Sequence, residues 1–224
     1  MAKERLKSPR ARLFVALDLP EDVRGRLAAW QAEHVAGRDD LRPVRPEAIH
    51  MTLTFLGWHP EKRIDEIASA ALDGLDHPAP EVRLLPDPVP VGRSRSRPNL
   101  FAVEADSPGA AELQAEVESR LVDAGFYEPE KREFWPHLTI ARVRKERLPA
   151  AEAGRRRRGR QMRVETPPGP LSDALLQPFF CVRVTTYRSL LRPSGAEYVS
   201  MAHEELPVRG SGKAVEDGKA PDPT

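Results

Sequence analysis

One pattern occurs twice in this chain, as His50-Met51-Thr52-Leu53-Thr54-Phe55 and as His137-Leu138-Thr139-Ile140-Ala141-Arg142. Each segment reads histidine, apolar residue, threonine, apolar residue, and each follows a loop. The 224 residues contain six histidines and seven threonines. Chance alone therefore gives about 0.2 His-x-Thr triplets. Two copies in matched surroundings therefore indicate a functional repeat.

Each copy is predicted to open a β-strand. Alternate side chains of a strand share a face, so we expect His50 and Thr52 to point together, with Met51, Leu53 and Phe55 directed into the core. The second copy repeats this arrangement. Each half-site then offers an imidazole that titrates near neutral pH and a hydroxyl two residues away.

Two facing imidazoles suit displacement at phosphorus. One takes a proton from attacking water while the other gives a proton to the departing oxygen, and a pKa near 6.5 allows histidine either role. Threonine hydroxyls bind the non-bridging oxygens. Two alternatives remain open from the residues alone: ordinary strand histidines bonded to backbone, or a two-histidine metal site. The second lacks a carboxylate at ligand spacing, so we expect no metal and no cofactor.

The composition is that of a globular protein, with 35 Lys+Arg against 34 Asp+Glu and 40% apolar residues. No apolar run reaches the roughly 18–20 residues that a membrane span needs. Cys181 is the one cysteine, which excludes an internal disulfide and is typical of a reducing, cytoplasmic setting. Its apolar surroundings predict a buried thiol.

Strands and helices alternate in two comparable halves, which predicts an α+β or α/β fold with two similar lobes. Apolar periodicity predicts strands over 12–19, 50–56 (closed by Gly57), 82–91, 100–104, 137–143, 179–190 and 197–201. It predicts helices around 23–30, 64–75 and 113–121, with a short one inside 167–177. We expect a loop over 42–46, a flexible end over 1–10, a single domain over 11–206 with a basic loop at about 144–163, and a disordered tail over 207–224.

The two His-x-Thr-x segments resemble those of the 2H phosphoesterases, and more closely those of the RNA 2′,3′-cyclic phosphodiesterases, also called the 2′-5′ RNA ligase family. Three stretches carry it, RLFVALDLP at 12–20, HMTLTFLG at 50–57 and FWPHLTIAR at 134–142, with later support at 187–189 and 195–198. The resemblance implies a bilobal α+β fold whose two pseudo-symmetric lobes line a central groove with antiparallel sheets, with helices outside.

The resemblance also implies the chemistry. The family hydrolyses RNA 2′,3′-cyclic phosphate ends to 2′-phosphates without metal, and some members join tRNA halves through a 2′-5′ bond. His50 is then the proton donor to the leaving 3′-oxygen and His137 the proton acceptor from water. Thr52 and Thr139 bind the phosphate, and Arg142 adds positive charge. The partner is RNA with cyclic phosphate ends, tRNA fragments among them, and a two-lobed chain is sufficient as a monomer.

Three further side chains have two interpretations each. Arg142 has the wrong strand parity for the site unless the strand ends or bulges near Ala141; otherwise it is a solvated arginine. Phe14 stacks on the terminal base or packs in the core, and Trp135 lines the groove or packs. The basic stretches at 93–97 and 155–160 track an RNA backbone or are solvated surface.

Two other functions remain open. One is an RNA- or nucleotide-binding module without useful catalysis, because one fold hosts many functions. The other is a phosphodiesterase for a small cyclic nucleotide, such as ADP-ribose cyclic phosphate.

Overall fold

The computed structural model describes residues 9–146, 160–192 and 195–208. The strands are β1 (Arg10–Asp18), β2 (Leu41–Pro43), β3 (His50–Pro60), β4 (Glu81–Leu84), β5 (Val89–Val91), β6 (Leu100–Asp106), β7 (His137–Val143), β8 (Phe179–Phe180), β9 (Arg183–Arg192) and β10 (Gly195–Glu205). The helices are α1 (Glu21–His34), α2 (Ile64–Leu72), α3 (Pro108–Asp123) and α4 (Asp173–Leu176).

The strands form one antiparallel sheet of two halves. Its order is β10-β9-β1-β3-β7-β6-β4-β8, with β2 added beside β7 and β5 beside β6. The halves meet where β3 and β7 pair through Met51 and Leu138. Each of these residues follows the histidine of one repeat, so the junction brings both repeats to one place. The predicted α+β fold with two lobes is confirmed.

The helices pack apolar stripes against the sheet. Val23, Leu27 and Trp30 of α1 are buried, as their spacing predicts, and α2 and α3 bury equivalent stripes. Helix α3 begins at a serine cap: the Ser107 hydroxyl accepts from the amide of Ala110 at 3.3 Å and donates to a carbonyl of β4 at 2.7 Å. Burial of each large aliphatic side chain contributes roughly 2 kcal/mol.

Four predicted boundaries are wrong. The strand over 82–91 is two strands, β4 and β5, because the prolines between them cannot donate ladder hydrogen bonds. The strand over 179–190 divides into β8, paired with β4, and β9, paired with β1. The predicted loop over 42–46 contains β2, and β3 continues through Gly57 to Pro60. That glycine permits the continuation because its φ is +76°, a conformation that other residues rarely adopt.

The predicted flexible end, basic loop and disordered tail fall largely outside the described residues. Within them, β1 already begins at Arg10, so the end is shorter than expected, and Lys145 bridges Gln161 across the base of the basic loop. No helix in the described ranges is long and apolar enough to cross a membrane. Cys181 is fully buried, as predicted.

Candidate active site

The junction of β3 and β7 forms the floor of a cavity of about 480 Å³. Both repeats contribute to its wall through His50, Thr52, His137 and Thr139. The wall also holds four arginines and no carboxylate among the described residues; the arginines are Arg12, Arg42, Arg45 and Arg142. A cavity with this charge suits an anionic ligand.

One backbone contact determines the tautomer of the first histidine. Nδ1 of His50 lies 3.0 Å from the carbonyl oxygen of Ala48, and since a carbonyl only accepts, Nδ1 must carry the hydrogen. In the neutral ring the second nitrogen, Nε2, is then unprotonated. It has no hydrogen-bond partner among the described residues and is the atom that can exchange a proton with a ligand.

The second histidine repeats this arrangement. Nδ1 of His137 donates to the carbonyl oxygen of Trp135 at 2.7 Å, again two residues earlier in the chain. The two repeats thus share a tautomer as well as a sequence pattern. Each ring is thus bonded to the backbone through Nδ1, as the interpretation of ordinary strand histidines expects. Each Nε2 remains available to exchange a proton with a ligand.

Aromatic rings cover one side of each histidine. Phe14 stacks on His50 with the ring centroids 4.8 Å apart, and Tyr198 meets His50 edge-on at 5.1 Å. Trp135 stacks on His137 at 4.0 Å. This burial disfavours the charged imidazolium: it lowers the pKa of His50 to about 4 and also lowers the pKa of His137. Both rings are therefore neutral at pH 7 before a ligand binds.

A carboxylate lies opposite each histidine on the next strand. Asp18 of β1 pairs with His50, and Glu104 of β6 pairs with His137. Asp18 is 1% exposed and Glu104 accepts from the Trp135 indole at 2.7 Å. Each negative charge raises the pKa of its histidine against the larger effect of burial. Neither carboxylate was predicted from the sequence; the signal present was an acidic residue at the end of an apolar strand.

Asp18 is held by three donors from β9. Arg183 Nε donates at 2.6 Å, Thr185 Oγ1 at 2.9 Å and the Tyr187 hydroxyl at 2.7 Å. A buried carboxylate is stable only when its lone pairs are satisfied in this way. The pKa of Tyr187 is raised to about 12 by burial and by its bond to Asp18, so it remains a hydrogen donor.

Arg142 reaches the cavity because β7 bulges. The pairing of β6 with β7 shifts register between Phe101 and Ala102, which inserts an extra residue at Ile140 and reverses the alternation beyond it. Arg142 therefore lines the same cavity as Thr139. Its guanidinium forms no hydrogen bond or ion pair with the described residues, so these donors are available to a ligand.

Comparison with known proteins shows which family the chain belongs to. A family described as LigT-like phosphoesterase matches residues 17–99. The RNA 2′,3′-cyclic phosphodiesterase of Thermus thermophilus is 32% identical over 58% of this chain and 68% of its own length. The enzyme of the same name from Escherichia coli is 30% identical over 58% and 71%. This chain belongs to the LigT-like phosphoesterases.

The fold of the phosphoesterase agrees with a solved relative. The crystal structure of TT0787 of Thermus thermophilus superposes with a TM-score of 0.67, at 24% sequence identity, and covers 87% of this chain and 97% of that one. This likeness supports the fold alone.

One predicted orientation is wrong in the phosphoesterase. Phe55 was expected in the core, but it is 39% exposed and lines the cavity, with the Arg12 guanidinium 4.5 Å from its ring centroid. The pairing of β3 with β1 shifts register twice beside it. These irregularities bury Thr54 and turn Phe55 outward, which a regular alternation does not predict.

The two aromatic predictions have different outcomes. Phe14 is 3% exposed and is covered by His50, Tyr187 and Tyr198, so the structure shows packing beneath the site. Trp135 is half-buried, stacks on His137 and borders a separate, smaller cavity of about 110 Å³. Base stacking by either ring stays a prediction.

The basic stretch at 93–97 is partly structural. Arg97 pairs with Glu146 and donates to the carbonyl of Gln161 at 2.6 Å, which ties this loop to the chain beyond the basic loop. The run at 155–160 lies outside the described residues except for Arg160. No three His, Cys, Asp or Glu side chains in the described ranges are grouped to hold a metal ion.

Proposed function

We propose that this phosphoesterase hydrolyses RNA 2′,3′-cyclic phosphate ends to 2′-phosphates. The observation that carries the proposal is the pair of neutral histidines, anchored alike at Nδ1, in a cavity whose described wall holds arginines without a carboxylate. The curated relatives are named RNA 2′,3′-cyclic phosphodiesterases, which supports hydrolysis of the cyclic ester.

The reaction balances with the two Nε2 atoms as proton carriers. Water attacks phosphorus, its proton passes to Nε2 of His137, and the bond from phosphorus to the 3′-oxygen breaks. Nε2 of His50 gives its proton to that oxygen, which leaves a free 3′-hydroxyl and a 2′-phosphate. Transfer at both ends avoids a free hydroxide and a free alkoxide.

Charge explains how a ring with a pKa of about 4 serves as the acid. The substrate phosphate brings a negative charge beside His50, and an opposite charge favours the imidazolium. Asp18 already favours this form. Thr52, Thr139 and Arg142 supply donors for the non-bridging oxygens, where negative charge grows in the transition state.

The proposal is tested with a short RNA ending in 2′,3′-cyclic phosphate, incubated with EDTA. We expect the parent to produce a 2′-phosphate, and the His50→Ala and His137→Ala variants to lose about 10²–10⁴-fold in kcat. His203→Ala is the matched control, because this half-exposed histidine of β10 lies outside the cavity. Undiminished turnover in both site variants contradicts the mechanism, and a 3′-phosphate product contradicts the assigned leaving group.

A 5′-hydroxyl can take the place of water in the proposed reaction. His137 then removes the proton of that hydroxyl, and attack at phosphorus joins two RNA ends through a 2′-5′ bond with release of the 3′-hydroxyl. Addition of an RNA with a 5′-hydroxyl to the assay tests this, and a product resistant to ribonucleases specific for 3′-5′ bonds is the expected sign. Failure to form it leaves hydrolysis as the single reaction.

A binding module without catalysis is the alternative outcome. It predicts RNA affinity that survives both histidine substitutions and no turnover by the parent. A phosphodiesterase for small cyclic nucleotides predicts turnover of ADP-ribose cyclic phosphate but not of the RNA.

A further inference from the structure

A second depression adjoins the active-site cavity. It has a volume of about 1080 Å³ and shares two wall residues with the cavity, Arg42 and Arg142. These arginines lie directly opposite one another on β2 and β7. A ligand that contacts them from the cavity can therefore continue into the second depression, which we call the basic groove.

The lining of the basic groove is strongly positive. Among the described residues it contains five basic side chains and one acidic side chain; these are Arg38, Arg42, Arg142, Arg144, Lys145 and Asp39. Arg38 is neutralised by Asp40, which accepts from it at 2.9 and 2.8 Å. Arg142, Arg144 and Lys145 together outnumber Asp39, so the groove keeps a net positive charge.

Two of these cations are placed to meet a polyanion. Arg144 uses Nε to donate to the carbonyl of Leu41 at 2.8 Å, which holds the side chain at the groove while the residue stays exposed. Lys145 is exposed, and its backbone is held by pairing with Gln161. Exposed cations along a groove are the features that follow a phosphate backbone.

The small cavity beside Trp135 has the opposite charge. It borders Thr52 and His137 on the other side of the site and carries three glutamates, Glu118, Glu130 and Glu133, against one arginine. A phosphodiester chain is repelled there. Of the two depressions beside the active-site cavity, charge favours the basic groove as the path for a nucleic acid strand.

The position of the cyclic phosphate fixes which part of an RNA strand can lie in the basic groove. A 2′,3′-cyclic phosphate is the 3′ end of its chain, so every other phosphate lies upstream. We propose that the basic groove binds the backbone of the nucleotides that precede the cyclic end, which makes the preferred substrate an oligonucleotide rather than a mononucleotide. This inference rests on the proposed function, and the groove itself is a separate binding site.

The first test compares substrates of different length. In the parent, kcat/KM for a tetranucleotide ending in 2′,3′-cyclic phosphate exceeds that for a cyclic mononucleotide by about tenfold or more. Lys145→Glu reduces this ratio by about fivefold or more, whereas Lys145→Arg, which keeps the positive charge, leaves the ratio near that of the parent. Lys62→Glu makes the same change of charge at an exposed lysine outside all three cavities, and it leaves the ratio unchanged.

A binding measurement keeps the inference separate from turnover. A fluorescent tetranucleotide ending in 2′-phosphate binds the parent more tightly than Lys145→Glu, by fluorescence anisotropy. The slope of log affinity against log salt falls by about 0.7 for each phosphate that the variant no longer neutralises. Weaker binding by Lys145→Glu alone supports the groove even where no substrate turns over, an outcome that would overturn only the proposed function.

Two results overturn the inference. One is equal kcat/KM for tetranucleotide and mononucleotide in the parent, with binding unchanged by Lys145→Glu; turnover of the tetranucleotide then still supports the proposed function. The other is equal loss of binding in Lys145→Glu and Lys62→Glu, which shows an effect of net charge rather than of the groove.

Discussion

Asp18 and Glu104 distinguish the two histidines, because each carboxylate acts on one ring. At alkaline pH the rate is limited by the fraction of the acid that is protonated. At acidic pH it is limited by the fraction of the base that is deprotonated. Neutralising one carboxylate lowers the pKa of its own histidine, so it changes the rate at one side of the pH profile.

We therefore expect opposite effects from two isosteric variants. Asp18→Asn lowers the pKa of His50, the acid, and reduces kcat at alkaline pH by about tenfold for each unit by which that pKa falls, with little change at acidic pH. Glu104→Gln lowers the pKa of His137, the base, and raises kcat at acidic pH without changing the alkaline side. Profiles of kcat against pH are the measurement, and exchanged effects would reverse the assigned acid and base.

Binding of an anion should take up protons. The pKa of His50 is about 4 in the free protein, and a bound anion raises it. We expect sulfate, which does not titrate between about pH 4 and 7, to bind about tenfold more tightly at pH 5 than at pH 7 by isothermal titration calorimetry. In His50→Gln this pH dependence is reduced, and an affinity independent of pH in the parent contradicts the cause.

At the level of elements, the apolar period can be recognised in the sequence but bulges cannot. The strands that open at His50 and His137 were predicted correctly because the apolar alternation is local. The positions of Phe55 and Arg142 depend on register shifts against β1 and β6. A register is a property of two strands far apart in the chain, so a single segment predicts its parity only as far as the first bulge.

The cap of α3 provides a prediction for stability. Ser107 is buried and satisfies both an amide and a carbonyl, so Ser107→Ala should cost about 1–2 kcal/mol of unfolding free energy. Ser172, which caps α4 without a side-chain hydrogen bond, is the matched control and should cost under about 0.5 kcal/mol. Urea denaturation measures both, and equal costs would show that the cap hydrogen bond contributes nothing.

Across the whole molecule, the repeat predicted the two halves but not how they meet. Matched motifs indicate that two lobes resemble one another, and the contact of Met51 with Leu138 is the long-range fact that places both histidines in one cavity. The charge of that cavity was predicted only for Arg142; Arg12, Arg42 and Arg45 were not expected there. Its four arginines come from β1, from the segment that contains β2 and from β7, whereas the chain as a whole is almost neutral.

The site also has a consequence for the stability of the whole chain. The pKa of His50 is about 4 in the folded protein against 6.5 in the unfolded chain. Between these values the unfolded chain binds the proton that the folded chain excludes, so the contribution to stability is fully present above pH 6.5 and is lost as pH falls to about 4. The loss amounts to about 3 kcal/mol.

His50→Gln removes this titration while keeping a polar side chain of similar size. The free energy of unfolding of the parent should therefore fall more steeply between about pH 6.5 and 4 than that of the variant, by about 3 kcal/mol over the range. Other titrating groups contribute alike to both proteins. The difference between their unfolding free energies, measured by urea denaturation at each pH, therefore reports the titration of His50 alone. If the free energy of unfolding depends on pH alike in both proteins, the folded site accepts the imidazolium without cost. His50 would then be protonated and ready to act as the acid before any substrate binds.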